Sequence, residues 1–228
     1  MVRLFCIIIV ALLSYPAFTQ RLAKITIDNH GSSDIISFLV DETVYVNMTK
    51  DGNITDWGIE GNTGRTTLYP GTLDKYMGKE EYYLATDNEA YRGKVKYIGR
   101  TSFTYYTSDD GQSLKGKVKT IGTSFLDYYT SYDDPAIRGF LKTAGPVAFT
   151  YYRSIDNEAY KGKLKTVGST ALTYYGSFDD KAYKGKIKNI DRALFTYYSS
   201  YDRKEYSGIL KTGTQTFYSG GVQYFIKN

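Results

Sequence analysis

Polar and apolar positions alternate with a period of two through much of this chain, and the alternating block recurs every 23 residues. Ser102-Phe103-Thr104-Tyr105-Tyr106-Thr107 is rich in aromatic and β-branched residues and predicts a strand. Asp109-Asp110-Gly111-Gln112 predicts a turn, because an Asp side chain can bond its own backbone two residues on. Leu114-Lys115-Gly116-Lys117-Val118-Lys119-Thr120-Ile121 alternates again, and Gly122-Thr123-Ser124 is a second turn. Glycine in mid-segment and a period of two rather than 3.6 exclude a helix. Alternation puts Leu114, Gly116, Val118 and Thr120 on one face of the second strand and the lysines on the other. Phe103 and Tyr105 join the apolar face. Tyr106, Ser108, Lys117 and Lys119 form a polar face, where lysine stems lie along tyrosine rings. The mid-strand glycine is expected to leave room for a facing aromatic ring.

Tyr-Tyr pairs stand at Tyr82-Tyr83, Tyr105-Tyr106, Tyr128-Tyr129, Tyr151-Tyr152, Tyr174-Tyr175 and Tyr197-Tyr198, always 23 residues apart. An Asp column (87, 110, 133, 156, 179, 202), a Gly column (93, 116, 139, 162, 185, 208) and a Lys column (96, 119, 142, 165, 188, 211) keep the same register. Six copies without insertion define a repeat protein. Two strands and two turns per copy predict an all-β fold, an antiparallel meander of two-strand hairpins forming an elongated, twisted or curled sheet. A β-solenoid of six coils is the alternative. Leu68-Tyr69-Pro70-Gly71-Thr72-Leu73 reads as a partial copy. Upstream, residues 23–27, 35–40 and 43–48 read as strands, with Lys50-Asp51-Gly52-Asn53 as a hairpin turn. Residues 216–226 read as a closing hairpin. The expected organisation is a leader over 1–19, an N-terminal β capping region over 20–78, six repeats over 79–219 and a C-terminal capping strand over 220–228.

The leader rests on Arg3, the apolar run Leu4–Leu13 and the small residues before Gln20, the pattern of a cleaved export signal. Ten apolar residues are too few to span a bilayer. Cys6, the single cysteine, leaves with it, so the remaining chain is expected to hold together without disulfides. That fits a bacterial envelope: periplasm, cell surface or extracellular space. The sequons Asn47-Met48-Thr49 and Asn53-Ile54-Thr55 would matter only in a eukaryotic secretory route. The net charge of +5 is too mild to imply nucleic acid.

The Tyr-x-Gly-x-apolar core of Tyr160-Lys161-Gly162-Lys163-Leu164 and Tyr183-Lys184-Gly185-Lys186-Ile187, at this period, resembles MORN repeats. The resemblance covers 68–219 and implies β-hairpin units in a single elongated sheet, used for scaffolding and in some cases for lipid or protein binding. Here Thr, Ser and Phe-Thr-Tyr-Tyr replace the later glycines of a MORN unit. The Tyr-Tyr and Gly spacing is also similar to bacterial choline- and glucan-binding repeats. Those repeats line grooves with tryptophans, whereas Trp57 is the only one here and lies outside the array.

No catalytic constellation emerges, so an enzyme is not expected, nor is any cofactor. His30, the single imidazole, reads as a loop residue. The Asp column reads as turn chemistry, with calcium as the lesser alternative, and no metal is expected. The Lys column is a solvated face or a site for acidic glycans or anionic headgroups. The second tyrosine of each pair supplies the candidate ligand-binding face: Tyr106, Tyr129, Tyr152, Tyr175 and Tyr198, with Lys119, Lys142, Lys165 and Lys188. Cross-strand packing competes with binding as the reason for that ladder. Two functions follow. One is an exported, non-enzymatic scaffold or protein-interaction module. The other is a carbohydrate-binding module using the Tyr/Lys face, with affinity growing with oligosaccharide length.

Overall fold

The computed structural model describes residues 20–29, 34–61 and 72–227. The leader, His30 and residues 68–71 of the partial copy lie outside them. Within the described residues the fold is all-β. Five strands come first: β1 (Arg21–Asp28), β2 (Ile35–Val40), β3 (Val44–Thr49), β4 (Ile54–Ile59) and β5 (Asp74–Lys75). The repeat region then runs from β6 (Glu80–Tyr82) to β16 (Ala193–Leu194), followed by the pair β17 (Thr196–Tyr197) and β18 (Leu210–Thr212). The hairpin β19 (Thr216–Ser219) and β20 (Val222–Lys227) comes last.

Strands β6 to β16 lie side by side in sequence order in one eleven-stranded antiparallel meander. Consecutive strands therefore pair within and between copies, as the repeat predicts. The remaining strands form a second sheet in the order β19-β20-β1-β2-β3-β4-β5. In it the C-terminal strand β20 runs parallel beside β1, from Lys24↔Gln223 to Asp28↔Lys227. The two sheets share one hydrophobic core. Ile25, Ile36, Phe38 and Val46 from the second sheet join Phe103, Ile121, Leu141 and Ile187 of the meander. The meander's apolar face is thus covered from within the chain rather than left bare.

Every copy departs from strict alternation at the same place. Thr104 pairs with Thr120, but Tyr105 pairs with Val118, so Lys119 is an extra residue with no partner opposite. The same shift recurs at Lys96, Lys142, Lys165, Lys188 and Lys211. The lysine column is therefore the inserted residue of a β-bulge, which bends a strand and increases its twist. This corrects the assignment of faces. Val118 and Ile121, three residues apart, are both fully buried, while Thr120 is not. The bulge returns the second apolar residue to the core face that period two would deny it.

The glycine column also differs from expectation. These residues lie in the turn before the strand, not inside it, with φ from +74° to +83°. Each donates its N–H back to a tyrosine carbonyl, as Gly116 does to Tyr106 at 2.9 Å. The column answers to backbone handedness, not to a facing ring. Two positions separate handedness from space. A Cβ on Gly93 (φ +74°) would meet nothing within 4 Å, whereas one on Gly185 (φ +76°) would sit 2.7 Å from the Ala159 carbonyl oxygen of the preceding copy. Gly93→Ala should cost about 1 kcal/mol from left-handed strain alone. Gly185→Ala should cost roughly 1–3 kcal/mol more from the added overlap. Urea unfolding of both variants checks this; equal losses would remove any weight from the contact between copies.

Candidate functional site

The turn after each tyrosine pair is built by one carboxylate. The Asp column accepts the N–H three residues earlier: Leu84 to Asp87 at 2.6 Å, Thr107 to Asp110 at 2.9 Å, Thr130 to Asp133 at 2.6 Å, Ser199 to Asp202 at 2.7 Å. This is the local turn chemistry expected of Asp. The residue after it ties neighbouring copies together. Asp134 accepts the N–H of Ala136 and also the N–H and hydroxyl of Ser154 in the next copy, at 3.0 and 2.6 Å. Asn157 does the same for Ser177, and Asp180 for Ser200. The Ser154 hydroxyl, foremost, holds the Asp134 carboxyl below the usual range, and the Ala182 N–H does so for Asp180. Among the described residues no group of three or more His, Cys, Asp or Glu is arranged to hold a metal ion.

The residue just before each turn Asp takes no part in that network as a side chain. In copies one and two it is Thr86 and Asp109. In copies three to six it is Tyr132, Ile155, Phe178 and Tyr201, exposed to 98, 84, 102 and 95%. Four large apolar side chains thus stand in solvent at one turn position of four consecutive copies. Each copy adds two strands, so the spacing along this ridge is about 9.6 Å. Clefts open between neighbours. One is lined by Phe178 and Tyr201 with Asp180, Ser199 and Ser200. Another, between copies three and four, lies beside the ridge and is lined by Asp133, Asp134, Arg153, Tyr129 and Lys165 rather than by the ridge side chains.

The face expected to bind is largely committed to the fold. Tyr106, read as exposed, is only 4% exposed, and Tyr129, Tyr152, Tyr175 and Tyr198 are half-buried. The first four hydroxyls reach across to the next copy: Tyr106 donates to the Leu126 carbonyl at 2.7 Å, Tyr129 to Phe149 at 3.0 Å, Tyr152 to Leu172 at 3.0 Å and Tyr175 to Phe195 at 2.9 Å. Each of these rings also meets the first tyrosine of the next copy edge-on, near 6 Å. Burial pushes the Tyr106 phenol up to about 12. This second tyrosine is a staple between copies; the acceptor lies twenty residues downstream, beyond the reach of alternation within one hairpin.

The lysines lie where the sequence places them. Lys119, Lys142, Lys165 and Lys188 hold their ammonium groups 5.1–5.8 Å from the ring centres of Tyr106, Tyr129, Tyr152 and Tyr175. Such cation–π contacts contribute about 0.5–1 kcal/mol each when exposed. Lys119 also pairs with Asp110 at 2.7 Å. The bulge lifts these lysines out of the ladder and over the rings. Of the predicted face, Tyr129 and Lys165 reach a cleft on the ridge side. The ridge was not read from the sequence; its only signal there is four apolar residues at a position where turn chemistry asks for none.

Fold and edge together define an all-β hairpin-repeat protein with a covered core and an apolar turn edge. Comparison with known proteins finds no matching family model, no matching curated protein and no matching solved structure.

Proposed function

We propose that this chain is an exported, non-enzymatic binding scaffold that presents its turn-edge ridge to an extended partner in the cell envelope or outside the cell. One observation carries this reading: Tyr132, Ile155, Phe178 and Tyr201 are almost fully exposed at one position of four consecutive copies. The turn does not need them, since Thr86 and Asp109 serve at the same place. Exposed apolar patches of this kind mark interaction sites. Burying a large apolar side chain contributes about 1.5–3 kcal/mol, so a partner covering the row gains several. Both partner classes read from the sequence, protein and polysaccharide, fit a linear row.

The test replaces all four residues by Thr, the residue of the first copy. Unfolding stability should change by no more than about 0.5 kcal/mol per site, as for other surface substitutions. In source cells the unaltered chain should fractionate with its partner and the fourfold variant should be released. A large loss of stability would show that the row serves folding, and an unchanged distribution would remove the ridge as the binding surface.

A further inference from the structure

The clefts between neighbouring ridge residues define the chemistry of what they can hold. Between copies five and six, Phe178 and Tyr201 form two apolar walls. The floor is a fixed polar network: Ser200 donates its N–H and its hydroxyl to Asp180, at 3.0 and 2.8 Å. Between copies three and four the same network joins Asp134 to Ser154. A carboxylate accepts several hydrogen bonds, so each floor can accept more donors. Apolar walls above a floor of acceptors suit a flat ring with an apolar face and a rim of hydroxyls. That is the chemistry of a sugar ring.

Periodicity supplies the second constraint. The exposed ridge residue and the tie beneath it, Asp134 to Ser154, Asn157 to Ser177 and Asp180 to Ser200, recur every two strands, at about 9.6 Å. An ordinary peptide or protein surface does not offer one chemistry at a fixed interval; a polymer with a repeating unit does. Charge supplies the third. One cleft sets Asp179 and Asp180 against Lys181, and the other sets Asp133 and Asp134 against Arg153 and Lys165, so neither offers the net positive charge that would select an acidic polymer.

We infer that the ridge is a platform for a linear, uncharged polysaccharide, laid along copies three to six with sugar rings on Tyr132, Phe178 and Tyr201 and hydroxyls directed at Asp134 and Asp180. This rests on the ridge being the binding surface, as proposed above. Contacts of this kind are weak singly and gain by linkage, so affinity should rise with chain length.

The experiment is calorimetric titration of the exported chain with uncharged hexasaccharides of β-1,4-glucose, β-1,3-glucose, β-1,4-N-acetylglucosamine, β-1,4-xylose and α-1,4-glucose. Their disaccharides and polygalacturonate serve as comparisons. At least one hexasaccharide should bind ten or more times tighter than its disaccharide, little affected by salt, with polygalacturonate weak. The fourfold Thr variant should lose this binding. Tyr218→Thr, which removes a 69% exposed tyrosine off the ridge, should keep it. Binding that survives the fourfold substitution would overturn the inference. So would silence from every hexasaccharide. If silence came with a fourfold variant still displaced in source cells, the ridge would take a protein partner and only the sugar assignment would fall. If nothing were displaced either, both readings would fall together.

Discussion

Gly52→Ala is expected to lower the stability of the whole fold by about 2–5 kcal/mol. Gly52 lies at the tip of the hairpin between β3 and β4 with φ +85°. A side chain there carries left-handed strain of roughly 1–2 kcal/mol. Its Cβ would also fall 2.6 Å from Cε1 and 2.7 Å from Cζ of Tyr128. That ring cannot yield easily: it is 1% exposed and its hydroxyl donates to the Val118 carbonyl at 2.8 Å. Overpacking of a rigid site adds about 1–3 kcal/mol. The Gly52 carbonyl moreover accepts the Val118 N–H at 3.1 Å, so a displaced tip also loosens the start of β9 (Val118–Ile121). A urea midpoint well below that of Gly93→Ala is the expected reading. A midpoint equal to it would mean that the hairpin tip is not wedged against the array.

The second large effect concerns Lys50, one residue pair earlier in the same tip. In the array, four copies carry a lysine after the glycine column, and three of these reach the next glycine carbonyl, while Lys117 donates instead to the Asp51 carbonyl at 2.6 Å. Lys94 reaches Gly116, Lys163 reaches Gly185 at 2.6 Å and Lys186 reaches Gly208. The third copy breaks this column with Phe140. The missing cation comes from the other sheet: Lys50 donates to the Gly162 carbonyl at 3.0 Å and lies 4.1 Å from the Phe140 ring centre. Its own carbonyl accepts the Leu141 N–H at 2.6 Å.

Lys50→Met keeps that backbone bond and removes the cation. The orphaned Gly162 carbonyl costs about 1–3 kcal/mol. The lost contact over Phe140 adds roughly 0.5–2 kcal/mol. A total near 2–4 kcal/mol is expected by chemical denaturation. Phe140→Lys should cost at least about 1 kcal/mol less in the Lys50→Met background than in the unaltered chain, because there the new ammonium finds a free carbonyl. Strict additivity in that cycle would sink the idea that Lys50 stands in for the missing repeat lysine.

The deficit should also depend on pH. Burial pushes the Asp34 carboxyl above its ordinary range; Lys50, the Asp28 N–H and Lys163 pull it back, while Asp28 adds to the rise. A raised folded value favours folding below the ordinary carboxylate range, and that contribution is lost as pH rises through the raised value. Taking Lys50 away deepens the loss. The deficit should therefore be smaller near about pH 4 than near about pH 7.

Much of this was legible in the residues. The Lys50–Asn53 turn, the Asp-built turns and the lysines over tyrosine rings each depend on a few neighbouring residues, or on one strand and its partner. Tyr106 was misplaced because its hydroxyl finds its acceptor in the next copy, at Leu126. Thr120 was placed on the core face because alternation assumes an unbroken ladder, and the bulge at Lys119 breaks it and gives that place to Ile121. Lys50 could not be matched to Phe140 from sequence, since no periodic pattern relates the covering sheet to the array.

By itself, the sequence determined that the chain is an all-β array of six hairpins with Asp-built turns, because strand propensity, turn chemistry and repeat register are local and recur six times. Only the tertiary structure decided which surface is free. Segments from both ends of the described chain, paired as β1 beside β20, close over one face of the meander. Bonds between copies absorb the tyrosine ladder, leaving the apolar turn residues of copies three to six in solvent. Which face is covered depends on long-range contacts made once, and a repeating pattern holds no record of those.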